Sequence, residues 1–451
     1  MKIIIVGCGK IGISIIKQLI KEKHNITVVD ANSDVIQTVT NNYDVMGYVG
    51  NGASYSVLME AGVNNTDLLI AVTNSDELNL LCCLFAKKAG NCSTIARVRN
   101  PLYSKEIRYI KDELGLSMII NPEFAAAMEI SRILRFPSAE KIETFAKGRV
   151  ELLNLTLSEE SPIKDCTLIE VARKYKSDIL ICTVERGEDI FIPKGEFILR
   201  EGDKITIVAT PANAKEFFTN IGYDTHQVKD TMIVGGGKMS YYLADRLIKS
   251  GIRVKIVEQN RDKCENLSEL LPKASIINGD ATNQEVLVEE GIAGCDSFVS
   301  LTGIDETNIF LSLFAKTCTQ GKIVTKIDRL TYDDIINTFS LGSMIYPEKI
   351  TADNIVSYVR AMQNSIGSNV ETLYRLNNGK VEALEFRVHG DSPIIGKSIM
   401  QLKIKRDYLI GCIIRHGAVI IPKGQSVIEP EDTVVVITSR SGLTNIKDIM
   451  E

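Results

Sequence analysis

The chain opens with an apolar run, IIIV, that meets Gly7-Cys8-Gly9-Lys10-Ile11-Gly12, after which apolar residues fall at helical spacing on Ile11, Ile15 and Leu19. A short apolar run closed by glycine predicts a buried strand, and the spacing after it predicts an amphipathic helix. The alternation continues through IIIVG, ITVVD, DLLIAVT, TIARV and SMII, with helical patterns between them. Strands alternating with helices predict an α/β fold, a Rossmann-like doubly wound parallel sheet. Further on the pattern becomes richer in strands. ILICTVERGEDIFIP reads as a hairpin around Arg186-Gly187-Glu188, within a small α+β module.

The whole pattern then recurs. MKIIIVGCGKIGISIIKQLIKEKHNITVVD matches DTMIVGGGKMSYYLADRLIKSGIRVKIVEQN, at an offset of 228 that pairs Gly7 with Gly235 and Asp30 with Glu258. The offset becomes 229 where AVTNSDELN meets SLTGIDETN, where Arg97 falls opposite Lys326 and where Tyr103 falls opposite Tyr332. The strand-rich module repeats as well, with Ser-Pro and Ile-Pro-Lys-Gly in both copies. A repeat this long means tandem duplication, because solenoid repeats run about 20–50 residues. The expected division is a nucleotide-binding module at 1–122, a linker helix at 123–140 and an α+β module at 141–225, followed by the same series at 229–347, 348–368 and 369–451. Pro122 and Pro137 bracket the first linker helix, whose apolar stripe is Phe124, Met128 and Ile130–Ile133. Little of the preceding sheet is left for that stripe to cover, so a neighbouring subunit is its expected partner.

Composition narrows the function. A chain of 451 residues is too long for one ordinary core. Its net charge of −5, with no basic stretch, argues against nucleic acid as a partner. The first apolar run feeds straight into the glycine loop, so no secretory leader is expected. The longest run without Asp, Glu, Lys or Arg, Val45 to Met59, is too short and too polar to span a bilayer, and membrane contact is expected only through a partner. Ten cysteines form no Cys-x-x-Cys and no zinc spacing, which predicts no metal site and inert thiols in a reducing cytoplasm.

The glycine loop carries the candidate chemistry. Gly7 permits the turn, Gly9 lets a pyrophosphate approach the backbone, and Gly12 lets the helix pack against the strand. The helix N-terminus offers free N–H groups and partial positive charge to phosphates. Asp30 ends the second strand, where it can accept both ribose hydroxyls and repel a 2′-phosphate. NAD(H) is thus favoured over NADP(H), but ATP, ADP and AMP offer the same diol. In the second copy the loop reads Gly235-Gly236-Gly237-Lys238-Met239-Ser240, with Glu258 as the acid. Asn51 and Asp280 follow the third strand of each unit. Thr73-Asn74 and Thr302-Gly303 follow the fourth, and Arg97 and Lys326 lie on the fifth. On spacing alone each of these fits a solvated polar residue at a strand end as well as it fits a ligand contact.

Hydride transfer would need a proton donor beside the nicotinamide. The four histidines, His24, His226, His389 and His416, have no counterpart in the other copy, and no Ser-Tyr-Lys arrangement stands out. A ligand-driven switch is favoured over an NAD-dependent oxidoreductase, and no catalytic residue is expected.

At these residues a resemblance emerges. The glycine loop with Asp30, VTNSDELN, IARVRNPLY and INPE resembles the RCK (or KTN) nucleotide-binding family, and SPI…IPKGEFILREGDKITIVA resembles its companion C-terminal module. The order RCK-N, RCK-C, RCK-N, RCK-C is similar to that of the regulatory subunits of Trk potassium uptake systems. The resemblance implies a cytoplasmic homo-oligomeric ring of four chains, peripheral on the inner face of the membrane beneath a TrkH- or TrkG-like potassium channel subunit. It implies NAD(H) as ligand, with ATP and ADP competing. The nucleotide contacts it implies are Gly7–Ile11, Gly235–Met239, Asp30, Glu258, Thr73-Asn74, Thr302-Gly303, Arg97 and Lys326. Ser240, and Asn51 opposite Asp280, depart from an even repeat. The resemblance also implies that an RCK-C module can bind cyclic di-AMP between two copies, but nothing in these two modules identifies that ligand, and Arg186 and His416 read equally as solvated hairpin residues.

Overall fold

The computed structural model describes residues 1–90, 92–104, 106–135, 141–145, 150–222, 228–328, 341–364, 370–376, 380–390, 392–440 and 442–451. Tyr332, Pro137 and His226 lie outside these residues.

Six strands form the first sheet: β1 (Lys2–Val6), β2 (Asn25–Asp30), β3 (Met46–Val49), β4 (Leu68–Ala71), β5 (Ser93–Arg97) and β6 (Met118–Ile120). Their order is β3-β2-β1-β4-β5-β6, and all pairs are parallel. The chain crosses over after β3, so the carboxyl ends of β1 and β4 lie side by side at the switch point, where open α/β sheets bind ligands. Every residue of β4 is buried, as befits a central strand covered on both faces.

The strand-rich module contains β7 (Lys141–Phe145), β8 (Val150–Thr156), β9 (Ile179–Arg186), β10 (Asp189–Phe191) and β11 (Lys204–Ala209), in the antiparallel order β10-β9-β11-β8-β7. The expected hairpin is the β9–β10 pair, closed by Gly187 at φ +62°. The second half repeats both sheets. β12 (Asp230–Val234), β13 (Arg253–Glu258), β14 (Ser275–Asn278), β15 (Ser297–Ser300), β16 (Lys322–Lys326) and β17 (Ser343–Ile345) are ordered β14-β13-β12-β15-β16-β17. β18 (Val370–Leu376), β19 (Val381–Arg387), β20 (Tyr408–Arg415), β21 (Ala418–Ile420) and β22 (Thr433–Thr438) are ordered β18-β19-β22-β20-β21.

Like modules gather with like. One compact unit holds residues 1–131 and 228–356, and the other holds 132–227 and 357–451. In the second unit Val150, Leu152, Cys182 and Val208 share a core with Val381, Ala383, Cys412, Val435 and Ile437, so the two α+β modules bury apolar sheet faces together. Each also braces its hairpin with a buried carboxylate. Arg186 grips Asp203 through two bonds of 2.7 and 2.8 Å, and Arg415 holds Asp432 through bonds of 2.9 and 2.8 Å. Arg186 is therefore an ion-paired hairpin residue, still partly exposed to solvent. Asp203 and Asp432 are almost fully buried, and the guanidinium fork satisfies both oxygens of each. His416 is exposed at φ +48°.

The linker helix starts as its sequence dictates. Asn121 accepts the Phe124 N–H at 2.9 Å, and Pro122 occupies the first turn, where its missing N–H costs nothing. Ala126, Ala127, Ile130, Ile133 and Leu134 are buried within this chain, as are Ala352, Ile355, Val356 and Val359 of the second helix, Pro347–Asn364. This corrects the expectation that the stripe awaits a neighbouring subunit. Among the stripe residues Phe124, at 46%, is the markedly exposed one, and it meets Tyr242 of the second repeat edge-on with ring centroids 5.5 Å apart.

Candidate ligand-binding cleft

Both glycine loops open into one cleft of about 1070 Å³, just above the usual range of single ligand sites. Gly7 turns the chain at φ +98°, where a side chain would lie 2.8 Å from the Thr73 amide nitrogen. Gly235 repeats this at φ +101° against the Leu301 carbonyl. Gly9 and Gly237 cap the helices Lys10–Ile20 and Lys238–Lys249 with no side-chain cap, and a Cβ at either would meet nothing within 4 Å. The first-turn amides thus face open space, where an anion can lie against the backbone.

Gly12 does not line the cleft. A Cβ there would crowd the Gly7 carbonyl oxygen, which fits the helix–strand packing expected of this third glycine. At the matching position the Ser240 hydroxyl donates to the Gly235 carbonyl, the same acceptor that crowds Gly12 in the first copy. Cys8 contributes through its backbone alone. Its thiol is buried, and burial followed by the nearby Asp30 charge pushes it up to about 12.

Both acids at the ends of β2 and β13 are held ready by backbone donors. Asp30 accepts the Cys8 N–H at 2.7 Å and the Asn32 N–H at 2.9 Å. Glu258 accepts Gly236 N–H at 2.6 Å and Asn260 N–H at 2.8 Å. Each carboxylate oxygen keeps a lone pair for a further donor. Asn51 accepts Ala53 N–H at 2.9 Å, whereas Asp280 accepts both the N–H and the hydroxyl of Thr282, which hold its carboxyl below the usual range. Ile11, Lys10, Lys238 and Met239 line the cleft, as do Thr73, Asn74, Thr302, Gly303, Arg97 and Lys326. The expected residues therefore converge, Gly12 excepted.

The cations of the two copies are unlike. Arg97 is 6% exposed, and its Nε has no hydrogen-bond partner among the described residues. Burial, and then the Arg99 charge, pull its pKa down. Lys326 instead gives its ammonium to Asp328 at 2.6 Å and to the Thr302 carbonyl at 3.1 Å.

Several residues that position the site lie outside the expected set. Fully buried Asn79 accepts Thr73 N–H and Oγ1–H at 2.8 and 2.7 Å and donates to the carbonyls of Thr73 and Arg97 at 3.2 and 2.9 Å. Asn308 makes the same four bonds to Thr302 and Lys326. These clamps tie the ends of neighbouring strands together, and the recurrence of Asp-Glu-Leu-Asn as Asp-Glu-Thr-Asn is the signal that marks them. Arg99 lies near Asp76 and Glu123, at 3.8 and 3.6 Å. Tyr242 accepts from Asn121 at 3.0 Å and donates to the Arg99 carbonyl at 2.9 Å, joining the second glycine-loop helix to the first crevice.

The fold defines a tandem pair of Rossmann-type units with α+β companions, the RCK architecture. Among solved structures the chain resembles the GsuK channel (TM-score 0.66, 17% identity, 97% of this chain and 76% of that one). It also resembles the GsuK RCK domain (TM-score 0.64, 18% identity, 97% and 92%) and the GsuK channel bound to NAD (TM-score 0.64, 17% identity, 97% and 76%). The TrkA-N domain matches residues 3–122 and 231–347, and the TrkA-C domain matches 152–222 and 383–451. The chain belongs to the TrkA family. It is 31% identical to the Trk system potassium uptake protein TrkA of Haemophilus influenzae over 97% of this chain and 96% of that protein. It is 29% identical to the TrkA homolog of Archaeoglobus fulgidus over the full length of both.

Proposed function

We propose that this chain is the cytoplasmic regulatory subunit of a Trk-type potassium uptake system, and that it senses adenine nucleotides rather than transforming them. The observation that carries the reading is the pair of glycine-loop crevices opening into one cleft in a chain of the TrkA family. Gly9 and Gly237 leave room for a pyrophosphate, Asp30 and Glu258 are set to accept a ribose diol, and the Nε of buried Arg97 lacks a hydrogen-bond partner among the described residues. NAD(H), ATP and ADP share the features these groups would hold. Four chains would supply eight such units in a ring beneath a TrkH- or TrkG-like membrane subunit, the only contact with the membrane.

A ligand biases such a ring only through its different affinity for two shapes. A 100-fold preference supplies about 2.7 kcal/mol per site, and several sites together suffice to reverse a gate. The test is potassium flux in liposomes holding the membrane subunit and this chain, with and without ATP, ADP and NADH. Flux that changes with nucleotide supports the reading. Flux indifferent to every nucleotide, or steady NADH turnover with carbonyl acceptors, overturns it.

A further inference from the structure

The two crevices carry different charge balances at equivalent positions, one neutral and one negative. In the first, Arg97 and Arg99 face Asp76 and Glu123, two cations against two carboxylates. In the second, the same four positions hold Lys326, Asp328, Asp305 and Glu348, one cation against three carboxylates. Asp328 in place of Arg99 accounts for the difference, and it also occupies the ammonium of Lys326.

Glu348 lies in the first turn of the helix Pro347–Asn364 and lines the cleft. Facing it are Lys10 from the first glycine loop, Asp328 and Lys326 from the end of β16, and Asp305 from the start of the helix Asp305–Cys318. Lys238 and Glu258 line the same cleft, and adjacent Lys349 is exposed. Burial pushes the Glu348 carboxyl up, Lys10 pulls it back, Asp328 and Asp305 push it further and Lys326 opposes them; it stands at about 7. Its counterpart Glu123 has Arg99 beside it at 3.6 Å.

We propose that the second crevice takes its nucleotide together with a proton on Glu348, whereas the first binds without one. This rests on the nucleotide reading above and adds a pH input to it. A pyrophosphate brings two further negative charges towards three carboxylates, and protonating Glu348 removes one of the repelling partners. Binding then draws a proton from solvent, and affinity falls as pH rises past the range where Glu348 holds it.

The test is calorimetric titration of the full chain with NADH, which has no group of its own titrating near neutrality. Runs in buffers of contrasting ionisation enthalpy, between about pH 6.5 and about pH 8.5, count the protons exchanged. One binding event should take up a substantial fraction of a proton, and its affinity should fall about tenfold across that range. It should persist in Asp30→Ala, which weakens the first crevice. Glu348→Gln should abolish the uptake and flatten the pH dependence. Asp328→Arg, which gives the second crevice the charges of the first, should do the same without touching Glu348. Binding without proton uptake, or uptake that survives Glu348→Gln, overturns the proposal alone. Absence of any NADH binding overturns the nucleotide reading and the proposal with it.

Discussion

Replacing Asn79 by Ala probes whether one buried amide holds the first crevice in shape. The side chain makes four hydrogen bonds with no solvent access, so the substitution strands the Thr73 N–H and the Arg97 carbonyl. Each buried group left without a partner costs about 1–3 kcal/mol, and the cavity adds to this, for a total of about 3–5 kcal/mol. Asn79→Asp keeps the volume but turns a carboxylate oxygen towards two carbonyls, so it should cost at least as much. Denaturant unfolding, followed by a probe in the first repeat, measures the loss. NADH affinity at the first crevice should fall about tenfold or more even where the protein stays folded, since 1.4 kcal/mol of misplacement suffices. Asn308→Ala repeats the experiment in the second crevice, with the same bonds to Thr302 and Lys326. A loss below about 1 kcal/mol with NADH affinity unchanged would refute the clamp.

Three further outcomes are expected. Arg97→Ala should weaken ATP and NADH in calorimetric titrations by about tenfold or more, because a buried guanidinium near a phosphate acts in a low-dielectric setting; unchanged affinity for both would exclude it from the site. Arg186→Met should destabilise the α+β unit by about 3 kcal/mol in chemical denaturation, since it leaves Asp203 buried without its cation. Thiol labelling of the native protein should modify Cys166 and Cys318, the two partly exposed cysteines, while the others react only on unfolding. Burial that pushes Cys8, Cys82 and Cys412 each up to about 12 removes the thiolate a labelling reagent needs.

Much of the architecture could be read before any coordinates, because it rests on local signals. IIIV before a glycine turn and ITVV before Asp30 each specify a buried strand with a defined end, and the duplication repeats every such signal. The hairpin at Arg186 was visible from its turn, but its salt bridge was not, since Asp203 is distant in sequence and is brought near only by the β9–β11 pairing. Asn79 was hidden for a related reason. An asparagine in a helical stretch suggests a surface position, and only the β4–β5 neighbourhood puts two strand ends within its reach. Arg99 and Asp328 sit two residues beyond the expected contacts, in IARVR and VTKID, where a change of charge sign was written plainly but had no assigned neighbour. The linker stripe failed differently: its pattern was right, but a pattern names no partner, and Tyr242 came from the same chain.

A homodimer of half-length chains obeys strict twofold symmetry, so any substitution made in one pocket appears in the other. Covalent fusion of the halves lifts that constraint. The second residue after β5 can be arginine while its twin after β16 is aspartate, so that one polypeptide carries two chemically different pockets.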